Sequence, residues 1–139
     1  MLCFLTTGLT AAAGAATLTI STLDGRDIAF EVVVADTAER QSQGLMFVKS
    51  MPPQHGMVFM KSPPRIAQFW MRNTLIPLDM IFILPGGMVG QIVTRSDTQS
   101  DRRTTSMQKV SAVVEINAGE AQRLKIGIGD IVHMDGVQF

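Results

Sequence analysis

The sequence predicts a mainly β fold: a compact antiparallel sandwich or barrel of about eight short strands with two short helices. Short apolar runs recur along the whole chain, separated by turn signals such as Asp24-Gly25, Pro85-Gly86-Gly87 and Asp135-Gly136. Helix-start patterns occur at two places, Asp36–Glu39 and Asn117–Glu120. No segment repeats, and strands do not alternate with helical patterns, which disfavours parallel β-α units.

The elements follow in order. Thr17–Thr22 alternates, with Leu18 and Ile20 on one face, and reads as a strand. Asp24-Gly25 is a hairpin turn signal, and Asp27–Ala35 returns with Ile28, Phe30, Val32 and Val34 on one face. In Asp36-Thr37-Ala38-Glu39, Asp36 has the spacing of an N-cap and Glu39 that of its capping-box partner. A short helix should run to Gln43 and stop at Gly44. Lys49–Gln54 reads as loop, Gly56–Met60 as a strand, and Ser62-Pro63-Pro64 as an interruption. Ile66–Arg72 and Leu78–Leu84 read as strands joined through Asn73–Pro77, and Met88–Thr94 as the strand returning from the Pro85 turn. Arg95–Lys109 is polar without periodicity and reads as a mobile loop, with Arg102-Arg103 solvated beside Asp97 and Asp101. Val110–Ile116 is a strand. Asn117-Ala118-Gly119-Glu120 starts a helix through Lys125, which Gly127 can end, and Ile131–Met134 is the last strand.

The 139 residues fit one domain. At this size folding removes roughly 68–70% of the extended chain's surface from water, so one core suffices without staples. Twelve Lys plus Arg balance twelve Asp plus Glu. No net field steers nucleic acid or an anionic membrane, and nucleic acid is not expected as a partner. Cys3 is the single cysteine, and His55 and His133 lack ligand spacing, so neither metal nor cofactor is expected. Met57, Met60, Met71 and Met80 fall in strand-like runs and read as core.

Met1–Ala16 is apolar or small, and Ala13-Gly14-Ala15 fits the small-x-small pattern before a secretory cleavage site. It reads as an export signal or its remnant, with 17–139 as the domain and the periplasm or the exterior as its location. The run is too short and too rich in Thr, Gly and Ala for a membrane span, and no stable membrane insertion of the domain is expected.

Phe69–Leu84 holds the only tryptophan, Trp70, and sets Arg72, Asn73, Thr74 and Asp79 among apolar residues. Strand alternation puts Asp79 on the face of Ile81 and Ile83, opposite Leu78, Met80 and Phe82, and Glu115 on the face of Val113. An acid on a partly apolar face must be paired or hydrogen-bonded. One reading is a structural lock, in which Asp79 bonds the Asn73-Thr74 turn and Arg72 is the nearest cation. The other has Trp70, Arg72, Asn73, Asp79 and Glu115 lining one shallow ligand pocket.

Four blocks resemble, in order, those of a widespread bacterial and archaeal family, domain of unknown function 192. They are GLMFVKSMPP at Gly44–Pro53, HGMVF at His55–Phe59, FWMRNTLIPLDMIFI at Phe69–Ile83 and VEINAGEAQRLKIGIGDIV at Val114–Val132. The family's tryptophan block is matched at Phe69, Trp70, Met71, Arg72, Asn73, Thr74, Ile76, Pro77, Leu78 and Asp79. Its later block is matched at Glu115, Asn117, Ala118 and Gly119. The resemblance spans roughly Ile28–Val132. It implies a compact, mostly β fold of sandwich or barrel type and, from the export signals of many relatives, an exported protein. It implies no biochemical activity.

The sequence holds no G-x-S-x-G elbow and no H-E-x-x-H, and Gly127–Asp130 is a turn rather than a phosphate loop. His55 reads as an exposed loop histidine. The expected function is therefore binding rather than catalysis. A small polar ligand or a protein partner would be held near Trp70, Arg72, Asn73, Asp79 and Glu115. The alternative is a glycosidase-like hydrolase with Asp79 and Glu115 as its acid/base pair, which needs the carboxyl groups roughly 5–9.5 Å apart across an open cleft. A third class is an interaction domain presenting a sheet edge or the Arg95–Lys109 loop to another protein.

Overall fold

The first two strands, β1 (Ala15–Ser21) and β2 (Asp27–Ala35), pair antiparallel around the Asp24-Gly25 tip. Alternation along them buries Leu18, Ile20, Ile28, Phe30 and Val32. The tip closes through the Thr22 N–H, which donates to the Arg26 carbonyl at 2.8 Å. The structure is a computed structural model and describes residues 14–139. Of the leader expected over Met1–Ala16, residues 1–13 lie outside the described residues. Ala15 and Ala16 already belong to β1, opposite Val33 and Val32.

Helix α1 (Ala38–Gln43) starts one residue later than its sequence pattern predicts. Thr37, not Asp36, is the N-cap, and its Oγ1 accepts the Arg40 N–H at 3.2 Å. Asp36 pairs instead with the Arg40 side chain at 3.4 Å. Gly44 ends the helix as expected, at φ 50°, with its N–H on the Arg40 carbonyl at 2.8 Å.

Strand β3 (His55–Arg65) runs parallel to β2 and antiparallel to β8 (Val110–Asn117). A parallel neighbour needs a crossover, and residues 36–54, with α1 in them, supply it. β3 runs through Pro63 and Pro64, where the sequence predicts an interruption. Its register against β8 shifts between Met60 and Arg65, and such an irregularity takes prolines that a regular ladder would refuse.

Strand β4 (Gln68–Phe69) pairs only with β7 (Thr104–Thr105), as a separate two-stranded ribbon, so the strand expected over Ile66–Arg72 shrinks to two residues. Strand β5 (Leu78–Ile83) lies between β6 (Val89–Arg95) and β8, and β9 (Ile131–Met134) pairs with β1. Helix α2 (Glu120–Arg123) follows β8.

The main sheet therefore has seven strands in the order β6-β5-β8-β3-β2-β1-β9. It curls until its ends meet. Val89 N–H donates to the Asp130 carbonyl and Val132 N–H to the Gly87 carbonyl, each at 2.8 Å. Gly87 stands at φ 96°, and a Cβ there would lie 2.8 Å from the Val132 carbonyl oxygen, so only glycine permits this approach. The predicted mainly β, barrel-like class is the one observed.

The concave side holds one core cluster, including Leu18, Phe30, Val58, Ile81, Ile83, Val114 and Ile116. The outer side of β5 and β8 is buried too, by a second cluster of Leu45, Ala67, Met71, Leu78, Met80, Phe82, Val110 and Val113. Every residue of β5 is consequently buried, which explains its nearly continuous apolar run.

The Arg95–Lys109 segment is built rather than loose, which corrects the mobile-loop expectation. Arg95 is 0% exposed. Its guanidinium donates to both Asp97 carboxylate oxygens at 2.7 and 2.8 Å, to Thr104 Oγ1 at 2.8 Å and to the Arg102 carbonyl at 3.0 Å. Satisfied on all sides, the buried charge staples the segment against the outer face of the sheet. No helix among the described residues is long and apolar enough to cross a membrane.

Candidate functional site

Asp79 and Glu115 are the two acids that the central strands carry into the interior, at 1% and 4% exposure. In the register of β5 against β8, Asp79 faces Ile116 and Met80 faces Glu115. Paired residues share a sheet face and successive residues alternate, so the two acids project to opposite sides of the sheet. The sheet therefore separates them, and they share no open cleft as an acid/base pair must.

On the concave side, Asp79 is a structural clasp. Its Oδ1 accepts the Thr94 hydroxyl at 2.6 Å and its Oδ2 accepts the Ala121 N–H at 3.0 Å. The clasp exists as expected, but its partners are β6 and the first turn of α2, not the Asn73-Thr74 turn. The N-cap position of α2 is Gly119, which has no side chain to offer, and Asp79 supplies the missing acceptor from another strand. Asn117 is therefore free for other work, and its Nδ2 donates to the Met51 carbonyl at 2.8 Å.

The Asn73-Thr74 turn closes on itself. Thr74 N–H donates to the Met71 carbonyl at 3.1 Å, Thr74 Oγ1 to the Arg72 carbonyl at 3.2 Å, and Asn73 takes φ 52°. Arg72 turns outward and pairs with Asp101 at 2.8 Å, and its guanidinium stacks 3.8 Å from the Trp70 ring centroid. The hydrogen bond from Arg72 holds the Asp101 carboxyl below the usual carboxylate range.

On the outer side, Glu115 opens onto a pocket of about 500 Å³. Its floor is Glu115 with Phe59 and Phe69, whose rings meet edge to face at 5.1 Å. Gln41–Leu45 form one wall; Trp70, Arg72 and Arg103 form another. Lys61 and Arg65, from the end of β3, complete the rim. Lys61 Nζ donates to Gln41 Oε1 at 2.8 Å and stands 5.3 Å from the Phe69 centroid. Gln41 is itself fixed by donating its amide to the Ala35 and Met60 carbonyls at 3.0 and 2.8 Å.

The Glu115 carboxyl makes no side-chain hydrogen bond among the described residues and faces the pocket, whereas the one buried side-chain oxygen left without a partner among those residues is Glu120 Oε2. Burial pushes its pKa up to about 8, against an opposing pull from Lys61. Burial likewise pushes the Lys61 ammonium down, helped by the nearby Arg65 charge. At neutral pH Glu115 is a protonated carboxyl, able to donate one hydrogen bond and to accept others.

Of the residues predicted from sequence, the pocket gathers Trp70, Arg72 and Glu115. It leaves out Asn73, on the turn beyond it, and Asp79, through the sheet. Sequence reasoning missed Lys61, Arg65, Arg103 and Gln41. Lys61 carried a signal, a charge ending the apolar run Met57–Met60. Arg103 carried none, because the Arg95 staple that positions it is a tertiary event. Among the described residues, no group of His, Cys, Asp and Glu is arranged to hold a metal ion.

The fold and the pocket define a class: a curled seven-stranded β domain with a half-polar pocket on its outer face. The chain belongs to the family described as uncharacterized ACR, domain of unknown function 192, whose pattern matches residues 19–134, as the tryptophan block implies. It is similar to the crystal structure of a candidate transcription regulator from Sinorhizobium meliloti 1021, with 32% identity and a TM-score of 0.87 over 92% of this chain and 99% of that one. It is also similar to a protein of unknown function from Novosphingobium aromaticivorans DSM 12444, with 36% identity and a TM-score of 0.82 over 86% of this chain and 84% of that one. No curated protein matches the chain.

Proposed function

We propose that this protein is a non-catalytic binding module that holds a small molecule in the outer pocket over Glu115. One observation carries the reading: the carboxyl of Glu115, a residue 4% exposed, meets no hydrogen-bonding side chain among the described residues and faces a cavity of about 500 Å³. Leaving a buried polar group unsatisfied is costly, and a ligand able to bond it recovers that cost. The cavity lies in the size range of small-molecule sites, and its mixture of aromatic walls with a few polar groups is typical of them. Trp70, Arg72 and Glu115 are the contact residues retained from the sequence, joined by Lys61, Arg65 and Arg103.

The regulator description of the Sinorhizobium relative raises DNA as a partner. The two helices among the described residues, of six and four residues, are too short to serve as recognition helices, and the formal net charge is zero. The apolar leader supports an exported protein, which cell fractionation checks.

Trp70 is the single tryptophan and lines the pocket, so its fluorescence reports occupancy directly. Titration against sugars, amino acids, nucleosides and organic acids should give a saturable change for at least one class, with a matching rise in melting temperature. Binding that survives Glu115→Ala unchanged would place the ligand elsewhere and end this reading.

A further inference from the structure

We infer that the molecule the pocket takes is a small organic carboxylate, its charged head between Glu115 and the Lys61–Arg65 rim and its apolar body against Phe59 and Phe69. This rests on the binding reading above and names the ligand class for that same pocket.

The balance of charge around the cavity comes first. Lys61, Arg65, Arg72 and Arg103 line it, and Glu115 is the single acid among them. Arg72 is neutralised by Asp101. The others have no carboxylate partner among the described residues: Lys61 donates to the neutral amide of Gln41, Arg103 to that of Gln68 at 3.1 Å, and Arg65 forms no ion pair. Cations left uncompensated around a concave surface focus a field that draws an anion.

The second consideration is what Glu115 asks for. Its carboxyl is buried, retains its proton at neutral pH, and meets no hydrogen-bonding side chain among the described residues. A protonated carboxyl is satisfied by an oxygen acceptor, and a carboxylate oxygen is the strongest a small organic molecule brings. The ligand's other oxygen is then available to Lys61 or Arg65, and a guanidinium matches the planar carboxylate with parallel N–H groups. Aromatic walls beside this head suit an apolar or aromatic body.

A phosphate head fits less well. Phosphate sites draw on backbone N–H groups at helix N-termini. Here the wall is the C-terminal half of α1, Gln41–Gly44, whose end carries carbonyl oxygens and partial negative charge. A concentrated dianion is disfavoured there.

The titratable groups facing Glu115 are Lys61 and Arg65 from β3, Arg72 from the turn after β4, and Arg103 from the segment before β7. The α1 wall contributes Ala38, Gln41, Ser42 and Gln43, none titratable, and β5 presents Met80. Burial shifts two groups among them, Glu115 up and Lys61 down, and both shifts weaken anion binding as pH rises. Once ionised, Glu115 repels the ligand's carboxylate, and affinity falls by up to about tenfold for each pH unit above its pKa.

The test is a Trp70 fluorescence titration of the full chain with benzoate and succinate, set against benzamide, glucose and inorganic phosphate, from about pH 6 to about pH 9.5. Benzoate or succinate should saturate the signal with affinity flat below pH 7 and falling above pH 8. Arg65→Gln, at an exposed position, should weaken binding at least about tenfold while leaving the melting temperature unchanged. Glu115→Gln, whose amide N–H still donates, should keep binding and flatten the fall in affinity around pH 8, leaving only the contribution of Lys61. Saturable binding of benzamide, glucose or phosphate without a carboxylate response overturns the ligand class while leaving the pocket as a binding site. Silence from every probe overturns both readings.

Discussion

Asp79 and Glu115 stand on neighbouring strands, one rung apart, and the molecule treats them in opposite ways. Asp79, on the concave side, has both oxygens occupied, by Thr94 and by the first turn of α2. Glu115, on the outer side, meets no hydrogen-bonding side chain among the described residues and faces the pocket. Both are acids sunk among apolar residues, so burial alone does not distinguish a clasp from a site. What distinguishes them is whether the protein itself completes the hydrogen bonding. Arg95 refines the comparison. It lies opposite Leu78, on the outer side with Glu115, yet is completely satisfied. That face is thus well able to pair a buried charge, and Glu115 is left facing the pocket.

The largest expected effect comes from removing the clasp. Asp79→Ala strands the buried Ala121 N–H, takes from the exposed Thr94 hydroxyl its acceptor, and should cost about 4 kcal/mol in urea unfolding. Asp79→Asn keeps an acceptor for Ala121 and should cost about 1 kcal/mol. A loss from Asp79→Ala no larger than that from a surface substitution would break the comparison. Next, Arg95→Met should cost about 3 kcal/mol, read in the same assay, and should loosen the wall that carries Arg103.

The Glu115→Gln effect depends on pH. The group's pKa is raised from 4.5 to about 8 on folding. Between those values the folded state holds a proton that the unfolded chain has released. Stability therefore falls as pH rises through this window and levels off above it. Full ionisation in place would cost up to about 5 kcal/mol, but water entering the pocket relaxes the charge, and about 2 kcal/mol is expected. Glu115→Gln should thus match the parent near pH 4.5 and exceed it near pH 9, with the unfolding midpoint as readout. The smallest effect belongs to the rim. Asp101→Ala breaks the exposed pair with Arg72 and should leave the unfolding midpoint unmoved, while changing the emission of the Trp70 ring beneath.

Much of the fold was legible because it is local. The Asp24-Gly25 tip, the alternation of Asp27–Ala35 and the stop at Gly44 are set by residues within a few positions, and all appear as predicted. The one-residue error at the start of α1 is a contest between neighbours, in which Thr37 takes the cap and Asp36 pairs with the Arg40 side chain. The larger misses are long-range. Nothing near Asp79 in sequence says that Ala121 will be its partner, and nothing near Arg95 says that Thr104 and the Arg102 carbonyl will enclose it. The candidate site divides the same way. Trp70, Arg72 and Glu115 announce themselves as polar or aromatic oddities inside apolar runs. Lys61, Arg65 and Arg103 gain their meaning only when β3 and the stapled segment are folded over β8.

The pairing of β1 with β9 sets an order of events during synthesis. A ribosome delivers Leu18 and Ile20 well before their neighbours Val132 and Met134. Until β9 arrives β1 carries an unoccupied edge, and the curl cannot close. Closure that waits for β9 leaves the polypeptide pliable until that strand is in place.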